Sequence, residues 1–164
     1  YLGCELHSSM DMTECLKNGE RLTMAGSRYV LTEFRTSDEK SYIRERVQAL
    51  IRRGYYPIVA HVERYRSVVK GGLDFIDELR DMGAYIQMNA DSIIGEDGFM
   101  LKRFCKKVIK EEMLDFVGSD GHDMAKRTPH IGKCYDKIEK MMGTDYADMI
   151  FISNPECIIH NERF

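Results

Sequence analysis

The sequence has 164 residues, of which 43% are hydrophobic and 31% charged, a composition typical of one folded domain with a core rather than a disordered chain. The net charge of -3 and the interleaving of basic with acidic residues exclude an obvious nucleic-acid-binding surface. The five cysteines form no C-x-x-C pair, which indicates free thiols in a reducing compartment. No apolar run approaches the ~20 residues that cross a bilayer, so we expect a cytoplasmic protein without membrane insertion.

Short apolar runs alternate with amphipathic stretches, a pattern typical of an α/β domain with parallel strands. The runs "YVLTEF" at 29–34 and "YPIVAH" at 56–61 are rich in β-branched and aromatic residues. Further strands are predicted at 1–5, at 84–91 and within 113–122. Helices are predicted over 36–54, about 71–82 and roughly 98–112, and from near Pro129 and Pro155.

The predicted helix after the strand at 29–34 carries start and stop signals. Thr36 is a candidate N-cap, and Glu39 three residues later completes a capping box. Gly54 follows the last apolar position and predicts the end of this helix.

Polar residues stand where the predicted strands finish. They are Glu5, Glu33, His61, Asn89 and the pair Asp120 and His122. Because the carboxyl ends of parallel strands open onto one face, these side chains are expected to converge there. Taken singly, each has an ordinary alternative: a solvated or capping glutamate, a histidine hydrogen-bonded in the core, or a plain turn. The other histidines, His7, His130 and His160, are read as structural or surface residues.

Taken together, these residues favour a metal centre over the ordinary alternatives that apply to each residue alone. Carboxylates with imidazoles suit divalent transition ions such as zinc, manganese or iron. The set is too large for one tetrahedral zinc and fits a polynuclear hydrolytic centre, with metal-free acid–base catalysis as the competitor. Arg64 and Arg127 each follow one of the candidate ligand turns, and a guanidinium fork matches phosphate oxygens. Surface ion pairs are the alternative for both arginines.

At these residues the sequence resembles a known family. "GCELH", "VLTEF", "PIVAHVERY" and "GSDGHDMAKRTPH" are similar, in order, to the carboxyl-terminal motifs of the bacterial protein-tyrosine phosphatases of capsule biosynthesis, in the PHP (polymerase and histidinol phosphatase) superfamily. Glu5, Glu33 and His61 follow one another at intervals of 28 positions, as in the family pattern. The similarity extends through "GAYIQMNADSI" and "ISNPE" and covers essentially the whole chain.

The resemblance implies a fold, a cofactor and a set of site residues. The fold would be a PHP-type distorted (β/α) barrel, similar to a TIM barrel. The cofactor would be a cluster of divalent ions, manganese first and iron, zinc or magnesium as alternatives. The implied metal ligands are Glu5, Glu33, His61, Asp120 and His122. Arg64 and Arg127 would bind the substrate phosphate, with His122 also catalytic, and metal-activated water would replace a cysteine nucleophile.

The resemblance also implies a substrate and a partner, namely phosphotyrosine on a cognate bacterial tyrosine kinase that controls capsular or exopolysaccharide synthesis. The family's amino-terminal His-x-His strand has no match, so residues 1–164 are interpreted as one domain, the larger carboxyl-terminal part of a phosphatase. A small phosphomonoester such as histidinol phosphate, or a non-catalytic regulatory fragment, are the alternatives. An incomplete barrel wall would expose sheet edges and favour a homo-oligomer.

Overall fold

A computed structural model describes residues 1–122 and 129–164 of the chain. Its five strands form one all-parallel sheet in which each strand pairs with the next along the chain, in the order β1-β2-β3-β4-β5. The strands are β1 (Glu5–His7), β2 (Tyr29–Glu33), β3 (Tyr56–Val59), β4 (Tyr85–Asn89) and β5 (Phe116–Gly118). The predicted α/β class with a parallel sheet is therefore confirmed.

Helices connect the strands. They are α1 (Met12–Lys17), α2 (Lys40–Arg52), α3 (Arg66–Gly71), α4 (Leu73–Asp81), α5 (Ala90–Ile94), α6 (Phe99–Lys110), α7 (Ile131–Met142), α8 (Thr144–Asp148) and α9 (Asn154–His160). Two 3-10 turns, Met24–Gly26 and Val62–Arg64, and a π-helical turn, Met149–Ser153, complete the described elements. No helix in the described ranges is both long enough and apolar enough to pass through a membrane.

Alternate residues of the strands face two apolar layers. Val59 packs with the outer helices in the main core, whereas its neighbour Ile58 belongs to a second cluster with Tyr29, Tyr85 and Phe116 on the other face. Every residue of β4 is buried. The sheet is therefore covered on both sides at its centre, as expected for parallel strands.

The first predicted strand is wrong in its position. The sequence predicts a strand at 1–5 that ends on Glu5, but β1 begins at Glu5 and ends at His7, with Glu5 opposite Leu31. The carbonyl of Leu2 accepts a hydrogen bond from the Ala25 N–H at 2.8 Å, so the preceding residues pair with a turn rather than with the sheet. Glu5 consequently lies two residues before the carboxyl end of its strand.

The predicted capping box is also wrong. α2 begins at Lys40 after an extended Glu39, and no side chain caps it. The Thr36 carbonyl instead accepts a hydrogen bond from the Arg66 N–H at 3.1 Å, which ties this loop to the start of α3. A tertiary contact of the loop therefore replaces the local motif.

The helix predicted at about 71–82 is interrupted at its start. Gly72 adopts a positive φ of 65° and separates α3 from α4. This backbone conformation is accessible to glycine and strained for other residues.

Candidate metal centre

Three sequence-predicted ligands meet at the carboxyl edge of the sheet. Glu5, Glu33 and His61 each offer one donor atom, and these atoms lie within 4.8 Å of one another. His61 Nε2 is 2.8 Å from a carboxylate oxygen of Glu5 and 3.5 Å from one of Glu33. Glu5 lies opposite Leu31, two residues before Glu33, so the parallel pairing puts the two glutamates on one face of the sheet, and His61 follows the end of the next strand, β3.

The backbone at His61 turns sharply to aim the imidazole at the two glutamates. His61 has φ 33° and ψ 53°, in the left-handed region, and precedes the 3-10 turn Val62–Arg64. Its N–H donates to Gln87 Oε1 at 2.6 Å, and its ring packs edge-on against Tyr65 at 5.6 Å between centroids. A left-handed conformation in a non-glycine residue costs free energy and is retained where neighbouring contacts fix it.

The electrostatics of His61 favour a cation between the two carboxylates. Burial opposes the charged imidazolium, but the hydrogen bond to Glu5 and the charge of that carboxylate outweigh it, so the pKa of His61 is raised. Glu5 stabilises a proton on Nε2, and a Glu33 oxygen lies 3.5 Å from the same nitrogen, so the two carboxylates would also stabilise a divalent ion in the place of that proton.

Asp120 lies beside this group in an ion pair with Arg64. Arg64 Nη1 donates to Asp120 Oδ2 at 2.7 Å, and Asn89 Nδ2 donates to the same oxygen at 3.1 Å. Asp120 has a positive φ of 47°. The side chain of Asn89, at the end of β4, thus shares Asp120 Oδ2 with Arg64.

His122 is exposed and lies over the Asp120 turn, with Nδ1 2.8 Å from the Asp120 carbonyl oxygen. Among the residues that the structure describes, the donor atoms within 4.8 Å of one another are those of Glu5, Glu33 and His61. The predicted phosphate-binding residue Arg127 lies outside the described residues.

Glu63 is a buried carboxylate that the sequence interpretation missed. It is 1% exposed, and its Oε1 accepts the Asn89 N–H at 3.1 Å. Burial raises its pKa despite hydrogen bonds from the backbone. From the sequence alone, a glutamate in a turn is expected to be solvated. The one feature that could have indicated a role for Glu63 is its position between two candidate site residues, His61 and Arg64.

Two histidines that were predicted to be structural or surface residues have acidic neighbours. His7 Nδ1 lies 3.4 Å from Glu33 Oε1, and His130 Nδ1 lies 2.8 Å from Asp91 Oδ1. Neither belongs to the close donor group of the described residues.

The fold and site therefore define an α/β protein with a carboxylate–imidazole donor group beside a guanidinium, an arrangement suited to binding divalent cations and phosphate. Residues 1–160 match the sequence profile described as "Capsular polysaccharide synthesis, CpsB/CapC". The chain belongs to this family.

Relatives give the class of enzyme. The chain is 30% identical over 165 residues to tyrosine-protein phosphatase CpsB of Streptococcus pneumoniae, covering 98% of this chain and 68% of that protein. It is 26% identical over 160 residues to tyrosine-protein phosphatase YwqE of Bacillus subtilis, covering 98% of this chain and 62% of that protein. The predicted family and class are confirmed.

The fold has a solved counterpart. A chain from the crystal structures of YwqE from Bacillus subtilis and CpsB from Streptococcus pneumoniae, described as metal-dependent tyrosine phosphatases, matches with a TM-score of 0.90 and 26% identity. The match covers 99% of this chain and 65% of that one. The chain thus spans about two thirds of the length of these relatives.

Proposed function

We propose that this protein hydrolyses phosphotyrosine on a cognate bacterial tyrosine kinase and thereby regulates capsular or exopolysaccharide synthesis. The observation that carries the proposal is the meeting of Glu5, Glu33 and His61 next to the Arg64–Asp120 pair. Its membership of the CpsB/CapC family and the names of its relatives support the same reaction.

The proposed ligands of a divalent metal cluster, manganese in the first instance, are Glu5, Glu33, His61, Asp120 and His122. The donor set fits such ions, since three donor atoms already lie within 4.8 Å and consist of two carboxylate oxygens and an imidazole nitrogen. Bound divalent ions would supply Lewis acidity and lower the pKa of water near the substrate.

The positively charged side chains of the protein are proposed to bind the substrate phosphate. Arg64 directs Nη1 to Asp120, and a guanidinium carries five N–H donors, so further donors remain for phosphate oxygens. Arg127 and His122 are proposed to contact the same phosphate. The Arg64–Asp120 bond also fixes the orientation of the guanidinium before substrate arrives.

The two buried cysteines, Cys105 and Cys134, support a route without a thiolate nucleophile. Burial raises the pKa of Cys134 to about 12 and also raises the pKa of Cys105. A thiol with a raised pKa stays protonated at neutral pH and is a weak nucleophile. Cysteine-dependent dephosphorylation is therefore disfavoured at both positions.

The proposed architecture is one domain over residues 1–164, the larger carboxyl-terminal part of a PHP-type distorted (β/α) barrel. Sequential strand order, all-parallel pairing and helices between the strands support it. Pairing of further strands with β1 or β5 would complete such a barrel.

The test is hydrolysis of a phosphotyrosine peptide by the natural protein with manganese, before and after chelation, together with elemental analysis. We expect chelation to abolish activity and His61→Ala to reduce both bound metal and kcat. His160→Ala, a change in an exposed histidine at the end of α9, is the matched control and should leave both unchanged. Activity that survives chelation and His61→Ala would overturn the proposal, and a parallel assay with histidinol phosphate separates protein from small-molecule substrates.

A further inference from the structure

A cleft between α6 and α7 concentrates positive charge on a molecule whose net charge is -3. The cleft has a volume of about 470 Å³. Its described lining consists of five lysines and three apolar residues and contains no carboxylate: Lys102, Lys106, Lys110, Lys137, Lys140, Ile93, Ile109 and Met141. We call this surface the lysine cleft.

The lysines occupy one face of each helix. Lys102, Lys106 and Lys110 recur every four residues along α6, and Lys137 and Lys140 recur at a spacing of three on α7. Residues three and four apart lie on one side of a helix, so the two rows border one groove. Across the described parts of the chain, Lys106, Lys110 and Lys140 form no ion pair, and they are exposed.

Lys137 shows how densely the charge is packed. Its Nζ donates to the carbonyls of Ile93 and Ile94 at 2.7 and 3.0 Å, at the end of α5. Burial, followed by the positive charge of Lys102, lowers the pKa of Lys137. An anion in the cleft would relieve this repulsion.

The floor of the cleft is apolar and recessed. Ile93 and Ile109 are 2% and 1% exposed, beneath the lysine side chains. Above this floor, the partly exposed Met141 and the aliphatic stems of the lysines add apolar surface, which a peptide side chain can contact inside a concave cleft, whereas a flat bilayer would meet the lysine ammonium groups first. Charge complementarity together with the floor therefore favours an acidic segment that also carries apolar side chains.

The cleft and the candidate metal centre share a structural element. α5 follows Asn89, whose side chain donates to Asp120, and its fourth residue, Ile93, lines the cleft. Four helical residues rise about 6 Å along the axis. The cleft therefore begins about one helical turn from the residue that contacts Asp120.

We propose that the lysine cleft is a docking site for an acidic, apolar-containing segment of the phosphotyrosyl protein substrate. The identity of the partner, a phosphotyrosyl protein, rests on the phosphatase function proposed above. The binding of an acidic segment to the cleft does not depend on that function. Docking at the cleft would hold the substrate protein near the metal centre and lower its KM without altering the chemical step.

The binding test uses a fluorescein-labelled peptide of glutamate and leucine that lacks phosphotyrosine, with the natural protein. We expect the double variant Lys106→Glu, Lys110→Glu to weaken binding about tenfold, because two attractions become repulsions. Arg103→Glu, Lys107→Glu makes the same change in charge on the same helix outside the cleft, and should weaken binding less than about twofold.

The catalytic test compares a phosphotyrosine peptide with acidic flanks and a small aryl phosphate. The cleft variant should raise KM for the acidic peptide about tenfold and leave the aryl phosphate unaffected. Equal loss in both double variants, no binding of the acidic peptide, or binding only to anionic phospholipid vesicles would overturn the docking proposal. Failure to hydrolyse the aryl phosphate would instead contradict the proposed function, while peptide binding would still decide the role of the cleft.

Discussion

Arg64 and Asp120 lie 56 positions apart in the sequence and form an ion pair of 2.7 Å between Nη1 and Oδ2. Arg64 is 29% and Asp120 14% exposed at the side chain, so the pair is half-buried at the carboxyl edge of the sheet. A partly desolvated pair at this place can both orient the guanidinium and keep it next to the candidate ligands.

We expect Arg64→Ala to lower kcat/KM on a phosphotyrosine peptide by about a hundredfold, a loss similar to that of one donor to a developing charge in other enzymes. Arg64→Lys keeps the charge but not the planar fork and should recover only part of the activity. Arg66→Ala, two residues on and exposed, is the control. Equal activity in the Arg64 and Arg66 variants would contradict a phosphate-binding role for Arg64.

Gln87 is predicted to hold the His61 turn in place. Its Oε1 accepts the His61 N–H at 2.6 Å, and its Nε2 donates to the Met88 carbonyl and to Asn89 Oδ1. Gln87→Leu would leave a buried N–H without an acceptor, so we expect a loss of about 1–3 kcal/mol in the free energy of unfolding.

The measurement is urea unfolding, with bound metal determined in parallel, since a released turn should also weaken cation binding. Gln48→Leu is the matched control, because Gln48 contacts Arg52 near the surface and should change stability by less than about 0.5 kcal/mol. Indistinguishable stabilities for the two variants would show that the Gln87 contact is dispensable.

The positions of β2 and β4 could be predicted because their apolar runs are continuous and bounded. The run at 29–34 and β2 (Tyr29–Glu33) differ by one residue, and the run at 84–91 contains β4 (Tyr85–Asn89). Burial on both faces produces such runs. Because Glu33 and His61 each lie at the end of one of the predicted parallel strands, the sequence also predicted that these two side chains lie near each other.

Other features depend on contacts that a local pattern does not contain. The start of β1 is set by its ladder with β2 and by the bond between Ala25 and Leu2. The burial of Glu63 follows from its hydrogen bond to Asn89, a residue 26 positions away. Both are tertiary effects, and tertiary context overrides local propensity.

The packing between the sheet and its outer helices is expected to dominate stability. Leu79 on α4 is fully buried in the main core. We expect Leu79→Ala to lower the free energy of unfolding by about 2–5 kcal/mol, because it removes buried methyl groups and leaves a cavity. Leu2→Ala, at a position 72% exposed, is the control and should have little effect in the same urea titration. A Leu79 effect no larger than that of Leu2 would contradict the core assignment.

The titration of Asp115 is expected to make the free energy of unfolding depend on pH. Its carboxylate accepts hydrogen bonds from the Ile86 N–H at 2.7 Å and from Arg80 Nη2 at 3.2 Å. Burial raises the pKa of Asp115 above its usual 3.8 and outweighs the lowering effects of Arg80 and the Ile86 N–H. As the pH rises from 3.8 through the folded-state pKa, the unfolded chain releases this proton first, so the contribution of Asp115 to stability decreases.

Asp115→Asn removes this titration and keeps an acceptor for the Ile86 N–H. We therefore expect the stability of the variant, minus that of the wild type, to increase with pH across the window that begins at 3.8 and to level off above the folded-state pKa. Urea unfolding at a series of pH values measures this difference. Arg80→Gln offers a second arm, because loss of the cation should raise the pKa of Asp115 further and extend the window upward. A difference that decreases with pH would mean that Arg80 and the Ile86 N–H together outweigh burial, and would contradict a raised pKa for Asp115.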